Sequence, residues 1–78
     1  MYYLYMVRCS DNSLYTGITT DLQRRILEHN ESKKGAKYTR SRRPVVLVYH
    51  EEFKNRKEAS QREYVVKKLS KGKKEELI

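Results

Sequence analysis

Tyr5, Tyr15, Arg25, His29 and Glu63 are the residues of this chain whose types and positions suit chemistry. Two phenols, a guanidinium, an imidazole and a carboxylate match the needs of phosphodiester hydrolysis. That reaction takes a carboxylate to hold a divalent cation, a positive group to meet the charge developing on phosphate, and a group to remove a proton from water. Each residue has an ordinary explanation when taken alone. Strand tyrosines usually pack, a single helical histidine is usually structural, and a long glutamate in an apolar stripe reaches out to solvent. The set carries weight because the elements that hold it are expected to face one another.

Those elements follow from pattern. Residues 2–8 and 13–18 are rich in β-favouring types, with turn residues Ser10-Asp11-Asn12 between them. A two-residue loop at Asp11-Asn12 would put Tyr5 and Tyr15 on opposite faces. A three-residue loop with Asn12 left-handed pairs Val7 with Tyr15 and Tyr5 with Gly17. The second register sets Tyr5, Val7 and Tyr15 on one face, and Gly17 leaves space beside the Tyr5 ring; it is the one adopted here. Thr20-x-x-Gln23 reads as a capping box opening a helix over 21–32. Leu22, Arg25, Ile26 and His29 form its inward stripe, half of it polar, while Arg24, Glu28 and Glu31 read as solvent charges. Val45–Tyr49 is a continuous apolar run expected to be a strand covered on both faces and ended by Glu51-Glu52. Asn55 caps a helix of 56–70 that Gly72 ends, with Glu63 between Ala59 and Val66 on one stripe. Lys73–Ile78 adds one more turn, with Leu77 and Ile78 packed inward. The expectation is one domain, residues 1–78, of the α+β class: a small three-stranded antiparallel sheet flanked by helices in the order β-β-α-β-α.

Charge points to the partner. The 78 residues hold 18 Lys and Arg against 10 Asp and Glu, a net charge of +8. An excess of this size on a small surface favours polyanions through released counterions. The segment 33–43 concentrates it: Lys33, Lys34, Lys37, Arg40, Arg42 and Arg43 stand there with Tyr38 and no acidic residue. It is expected to be an irregular nucleic-acid-binding loop, since Arg forks and the Thr39 hydroxyl suit phosphate oxygens and Tyr38 can stack on a base. No apolar run approaches the roughly 20 residues of a membrane span. The start of the chain shows no leader pattern, and the lone Cys9 excludes an internal disulfide framework, which together suggest a cytoplasmic protein. Two histidines and one cysteine are too scattered for zinc, and no Gly-rich phosphate loop is present. Cys9 as a thiol nucleophile lacks a third member of its constellation.

At these residues the chain resembles the GIY-YIG nuclease superfamily, in particular its small standalone bacterial members. Tyr3-Leu4-Tyr5 stands for the first signature triplet and Tyr15-Thr16-Gly17 for the second. Arg25 follows Gly17 by eight residues, His29 comes four later, and Glu63 lies in a later helix as the family's metal-binding glutamate does. Tyr3 replaces the family's first glycine, and Ile18 stands where some members carry lysine. The resemblance implies a single-metal endonuclease in which Glu63 holds one Mg²⁺ or Mn²⁺ and Arg25 braces the scissile phosphate. Tyr5 would activate water with Tyr15 beside it, the two able to exchange roles, and His29 would relay a proton or touch phosphate. It implies DNA in preference to RNA as substrate, no membrane, and a structure- or damage-directed role in repair or recombination. Two other readings stay open: a nucleic-acid-binding module with little or no turnover, and an adaptor for an acidic protein.

Overall fold

Asn12 decides the register of the first hairpin. It adopts a left-handed φ of 71°, which asparagine tolerates better than most residues, and Cys9 N–H and Asn12 N–H close the loop on Ser13 O and Cys9 O at 2.8 and 2.9 Å. In the computed structural model, which describes residues 1–78, β1 (Tyr2–Arg8) and β2 (Leu14–Thr19) then pair with Val7 opposite Tyr15 and Tyr5 opposite Gly17. This is the three-residue-loop register. A third strand, β3 (Val46–Phe53), joins the other side of β1, giving an antiparallel sheet of order β2-β1-β3 with an irregularity between Met6 and Val7.

The helices are α1 (Leu22–Glu31), the short α2 (Lys37–Arg40), α3 (Arg56–Lys67) and α4 (Lys71–Leu77). The expected β-β-α-β-α order holds, with α2 and α4 added to it. Several local expectations change. Asp21, not Thr20, caps α1: its carboxylate accepts from Arg24 N–H at 3.0 Å, a charged acceptor at the positive end of the helix. The segment 33–43 is not wholly irregular, because α2 forms within it. β3 continues through Glu51-Glu52 to Phe53, since Arg62 meets the Glu51 carboxylate at 3.1 Å and removes the cost of placing it there. It lies at the sheet edge with Val46 61% exposed, so it is not covered on both faces. Finally, α3 stops at Lys67, Ser70 caps α4, and Gly72 lies inside α4 instead of ending a helix.

The sheet separates two small cores. On one face Tyr5, Val7, Cys9 and Val45 pack with Tyr15, Leu22, Ile26 and Leu47, under α1. On the other, Leu4, Met6 and Val66 pack with Ile18, Val48, Tyr49, Phe53 and Leu77. Ala59 is fully buried. Ile78, expected to pack inward, is 48% exposed, whereas Leu77 does join the core. Arg8 forks onto Glu75 at 2.8 and 2.6 Å and ties α4 to the hairpin.

Candidate active site

Tyr5 sits on the central strand, and its ring lies across Gly17 of β2. A Cβ at Gly17 would stand 2.7 Å from the Tyr5 hydroxyl and 2.9 Å from Cζ, closer than carbon tolerates, so the glycine is what lets the phenol lie there. From α1, His29 presents Nε2 to that hydroxyl at 2.6 Å, and Arg25 Nε approaches it at 3.4 Å. Tyr15, on the same sheet face, meets the His29 ring edge-on with centroids 5.4 Å apart. Its hydroxyl makes no hydrogen bond to that of Tyr5; the two phenols are linked through the imidazole.

Behind His29 the line continues. Nδ1 lies 2.9 Å from Thr39 Oγ1, and Thr39 donates its single proton to Ala36 O at 2.9 Å. Thr39 therefore accepts from His29 Nδ1–H, which leaves the Nε2 lone pair for the Tyr5 O–H. The Ala36 N–H aimed at Nδ1 would favour the other tautomer, but at 3.4 Å it is the weaker contact. Thr39 and His29 are both fully buried. Burial, helped by the nearby Arg25 charge, pushes the His29 imidazole from 6.5 down to about 4. Burial pushes the Tyr5 phenol up to about 12, against the hydrogen bond from Arg25 that lowers it. Both groups rest neutral at physiological pH.

Arg25 is held in place. Its Nη1 donates to Glu28 at 2.9 Å and to the Lys34 carbonyl at 2.9 Å, leaving Nη2 without a partner in the protein. Glu28 is thus the anchor of Arg25 and not a plain solvent charge. Glu63 comes from α3, half-buried, paired with Lys67 at 3.4 Å. Lys67 in turn lies 5.8 Å from the Tyr15 ring centroid, and the Glu63 charge contributes to raising Tyr5. Tyr5, Tyr15, Arg25 and His29 therefore gather at one place, and Glu63 approaches it from α3 beside Lys67. Glu63 is their one carboxylate, and no group of three His, Cys, Asp or Glu side chains comes together anywhere in the chain. A single accessible carboxylate suits a hard cation that keeps most of its waters, as Mg²⁺ and Mn²⁺ do, and does not suit zinc.

The basic segment is less free than its composition implied. Arg43 donates to the carbonyls of His29 and Ser32, each at 2.5 Å, and so satisfies the end of α1. Arg40 donates to Lys33 O at 2.6 Å, and Arg42 pairs with Asp11 at 3.0 Å. Tyr38 already stacks on Tyr15, centroids 5.8 Å apart, with the Arg42 guanidinium 4.0 Å from its ring centre. Lys33, Lys34 and Lys37 project into solvent. Thr39, whose hydroxyl was expected to meet phosphate, is instead fully buried between His29 and Ala36, and sequence reasoning missed the roles of Glu28 and Asn30. Asn30 clamps Val45 through both its amide atoms, at 2.7 and 3.0 Å. Of these, only Glu28 left a readable signal, as an acidic residue three positions after Arg25 on a helix.

The fold and this gathering of residues define a GIY-YIG domain. A family model described as the GIY-YIG catalytic domain matches residues 1–76, and the chain belongs to that family. It is a family of nucleases, acting on nucleic acid and generally dependent on a divalent metal. Within it, the chain is 58% identical over 77 residues to a UPF0213 protein of Desulfotalea psychrophila, covering 99% of this chain and 70% of that one. It is 52% identical over 78 residues to a UPF0213 protein of the archaeon Halobacterium salinarum, covering both in full. The solution NMR structure of a UPF0213 protein from Bacillus halodurans is 52% identical, covers 99% of this chain and 82% of that chain, and superposes with a TM-score of 0.62. No helix is long and apolar enough to cross a membrane.

Proposed function

We propose that this chain is a structure- or damage-directed DNA endonuclease domain that hydrolyses phosphodiester bonds with one Mg²⁺ or Mn²⁺, serving repair or recombination. The observation that carries the reading is the bonded line Arg25–Tyr5–His29–Thr39 on the sheet face that also holds Tyr15, with Glu63 arriving from α3. Arg25, fixed by Glu28 and the Lys34 carbonyl, offers its free Nη2 to a non-bridging phosphate oxygen and to the charge that grows there. Tyr5 takes the proton of the attacking water as its own proton passes along the 2.6 Å bond to His29 Nε2. The adjacent Arg25 charge favours that step, because it stabilises negative charge on the phenol oxygen. Thr39 keeps the imidazole in the tautomer that can receive the proton. A divalent cation held at Glu63 would supply charge neutralisation at the phosphate and acidify water. Lys33, Lys34 and Lys37 are the positions of the basic segment best placed to meet flanking phosphates. Incubating the protein with supercoiled plasmid, branched DNA and RNA in Mg²⁺ or Mn²⁺ tests this: nicked or cut DNA is expected, and intact substrates throughout would overturn it.

A specific observation favours a second reading. With Tyr5 near 12 and His29 near 4, no group at the site is poised to remove a proton near neutral pH. A nucleic-acid-binding module without useful turnover would show salt-dependent DNA binding that survives Glu63→Ala, and no cleavage under any condition.

A further inference from the structure

A polar cavity of about 310 Å³ adjoins the site, between the start of β1, the end of β2 and the starts of α1 and α3. Arg24, Arg25 and Arg56 line it, together with Tyr2 and the hydroxyl-bearing Thr20. Glu28 is its one carboxylate, and that charge is already shared between Arg25 at 2.9 Å and Arg24 at 3.8 Å. Arg56 makes no hydrogen bond or ion pair with the rest of the chain. Arg24 has only that long ion pair and a 3.3 Å contact with Thr20 Oγ1 for its guanidinium. Three arginines thus line one small cavity with donors to spare, a surplus of positive charge that a bound anion would offset.

Position says which anion. Arg25 belongs to both places: its Nε faces Tyr5, and its side chain walls the cavity. On α3, Arg56 and Glu63 are seven residues apart, hence on one face and about 10 Å apart along the axis. The basic segment, by contrast, lies at the far end of α1, beyond Glu31. We propose that this cavity is a phosphate subsite for the strand being cut, in which Arg24 and Arg56 clamp the backbone phosphate next to the one held at Arg25. The two basic regions then grip the strand on either side of the cut. The assignment rests on the endonuclease reading for the strand's identity, but binding alone tests the clamp.

The experiment measures binding of a fluorescein-labelled single-stranded DNA oligonucleotide in EDTA across a range of salt, for wild type, Arg24→Ala, Arg56→Ala, the double variant and Lys73→Ala. Both arginine side chains are exposed, so the substitutions leave the core intact, and circular dichroism confirms folding. The slope of log affinity against log salt is expected to fall by about 0.7 in either single variant, as for one lost phosphate contact on a single strand. The double variant loses less than the sum, because both groups hold the same phosphate. Lys73→Ala, on α4 and outside the cavity, leaves the slope unchanged. Unchanged slopes in the arginine variants, an equal loss in Lys73→Ala, or strictly additive losses would each overturn the clamp. So would inorganic phosphate that competes as well as the oligonucleotide at matched ionic strength, since it would make the cavity a small-anion site. If the slopes fall as stated while no nucleic acid is ever cut, the subsite stands and the endonuclease reading fails. If DNA is cut and the slopes do not move, the subsite alone fails.

Discussion

The two faces of the sheet treat their most deeply buried threonines differently. Under α1, Thr39 bonds to both His29 and Ala36, ending a polar line that begins at Arg25. On the opposite face, Thr16 stands opposite Met6 and its hydroxyl is buried with no partner at all. Around Thr16 the core is apolar, Leu4, Met6 and Val66, and charge is kept to the rim in pairs such as Glu51–Arg62 and Arg8–Glu75. A satisfied polar line costs little and fixes the Tyr5 hydroxyl in place, whereas an orphaned hydroxyl costs stability. Nothing in the structure explains the Thr16 hydroxyl. The difference suggests that one face is built for positioning and the other for cohesion.

Single substitutions should separate those roles. Leu4→Ala should cost about 2–5 kcal/mol in urea unfolding yet leave cleavage per folded molecule intact. His29→Ala should cost at least about 3 kcal/mol, because it opens a cavity and strips partners from Tyr5 and Thr39 together, and cleavage should fall with it. An activity loss in Leu4→Ala as deep as in His29→Ala would erase the distinction.

Acid should act first on the positioning face. The folded protein keeps His29 neutral down to about 4, while the unfolded chain takes up a proton near 6.5. In that window the unfolded state binds more protons, so stability should fall as pH is lowered from about 6.5 through about 4. Carboxylates held low by their partners, such as Glu75 at about 2, add to the loss only below their ordinary 4.5. In thermal unfolding followed against pH, His29→Gln should flatten the limb above pH 4.5 and leave the lower one.

Gly17→Ala sets a methyl against the Tyr5 hydroxyl and should cost about 1–3 kcal/mol, with a larger proportional loss of cleavage because the phenol must move. The smallest effect has opposite signs on the two faces. Thr16→Val should stabilise by about 1 kcal/mol, and Thr39→Val should destabilise by about 1–3 kcal/mol. Equal signs in calorimetry would end the comparison.

What could be read from the sequence tracks how local its cause is. The register was legible because a three-residue loop ending in Asn12 forces Tyr5 and Tyr15 onto one face, and the inward stripe of α1 because Arg25 and His29 fall one turn apart. The cap of α1 was misplaced by one residue, since Thr20 and Asp21 both fit a capping pattern and only the backbone chooses. Thr39 was misread as a hydroxyl open to phosphate, because its burial was not legible: α2 is four residues long, and it is placed by Arg43, Arg42 and Gly35 packing against α1 and the hairpin turn. The same contacts explain why arginines that looked like ligand donors serve partly as struts. Glu51 misled for a similar reason, its partner Arg62 lying eleven residues on in another element.

The central claim is that Glu63 and Arg25 act in catalysis and not in folding. Neither side chain is fully buried, so Glu63→Ala and Arg25→Ala should remain folded and bind DNA. The direct measurement is the rate of plasmid nicking in Mg²⁺ or Mn²⁺ for wild type and both variants, each first shown to be folded. A fall of about a hundredfold or more is expected in each variant; equal nicking by all three proteins would contradict a catalytic role for Glu63 and Arg25.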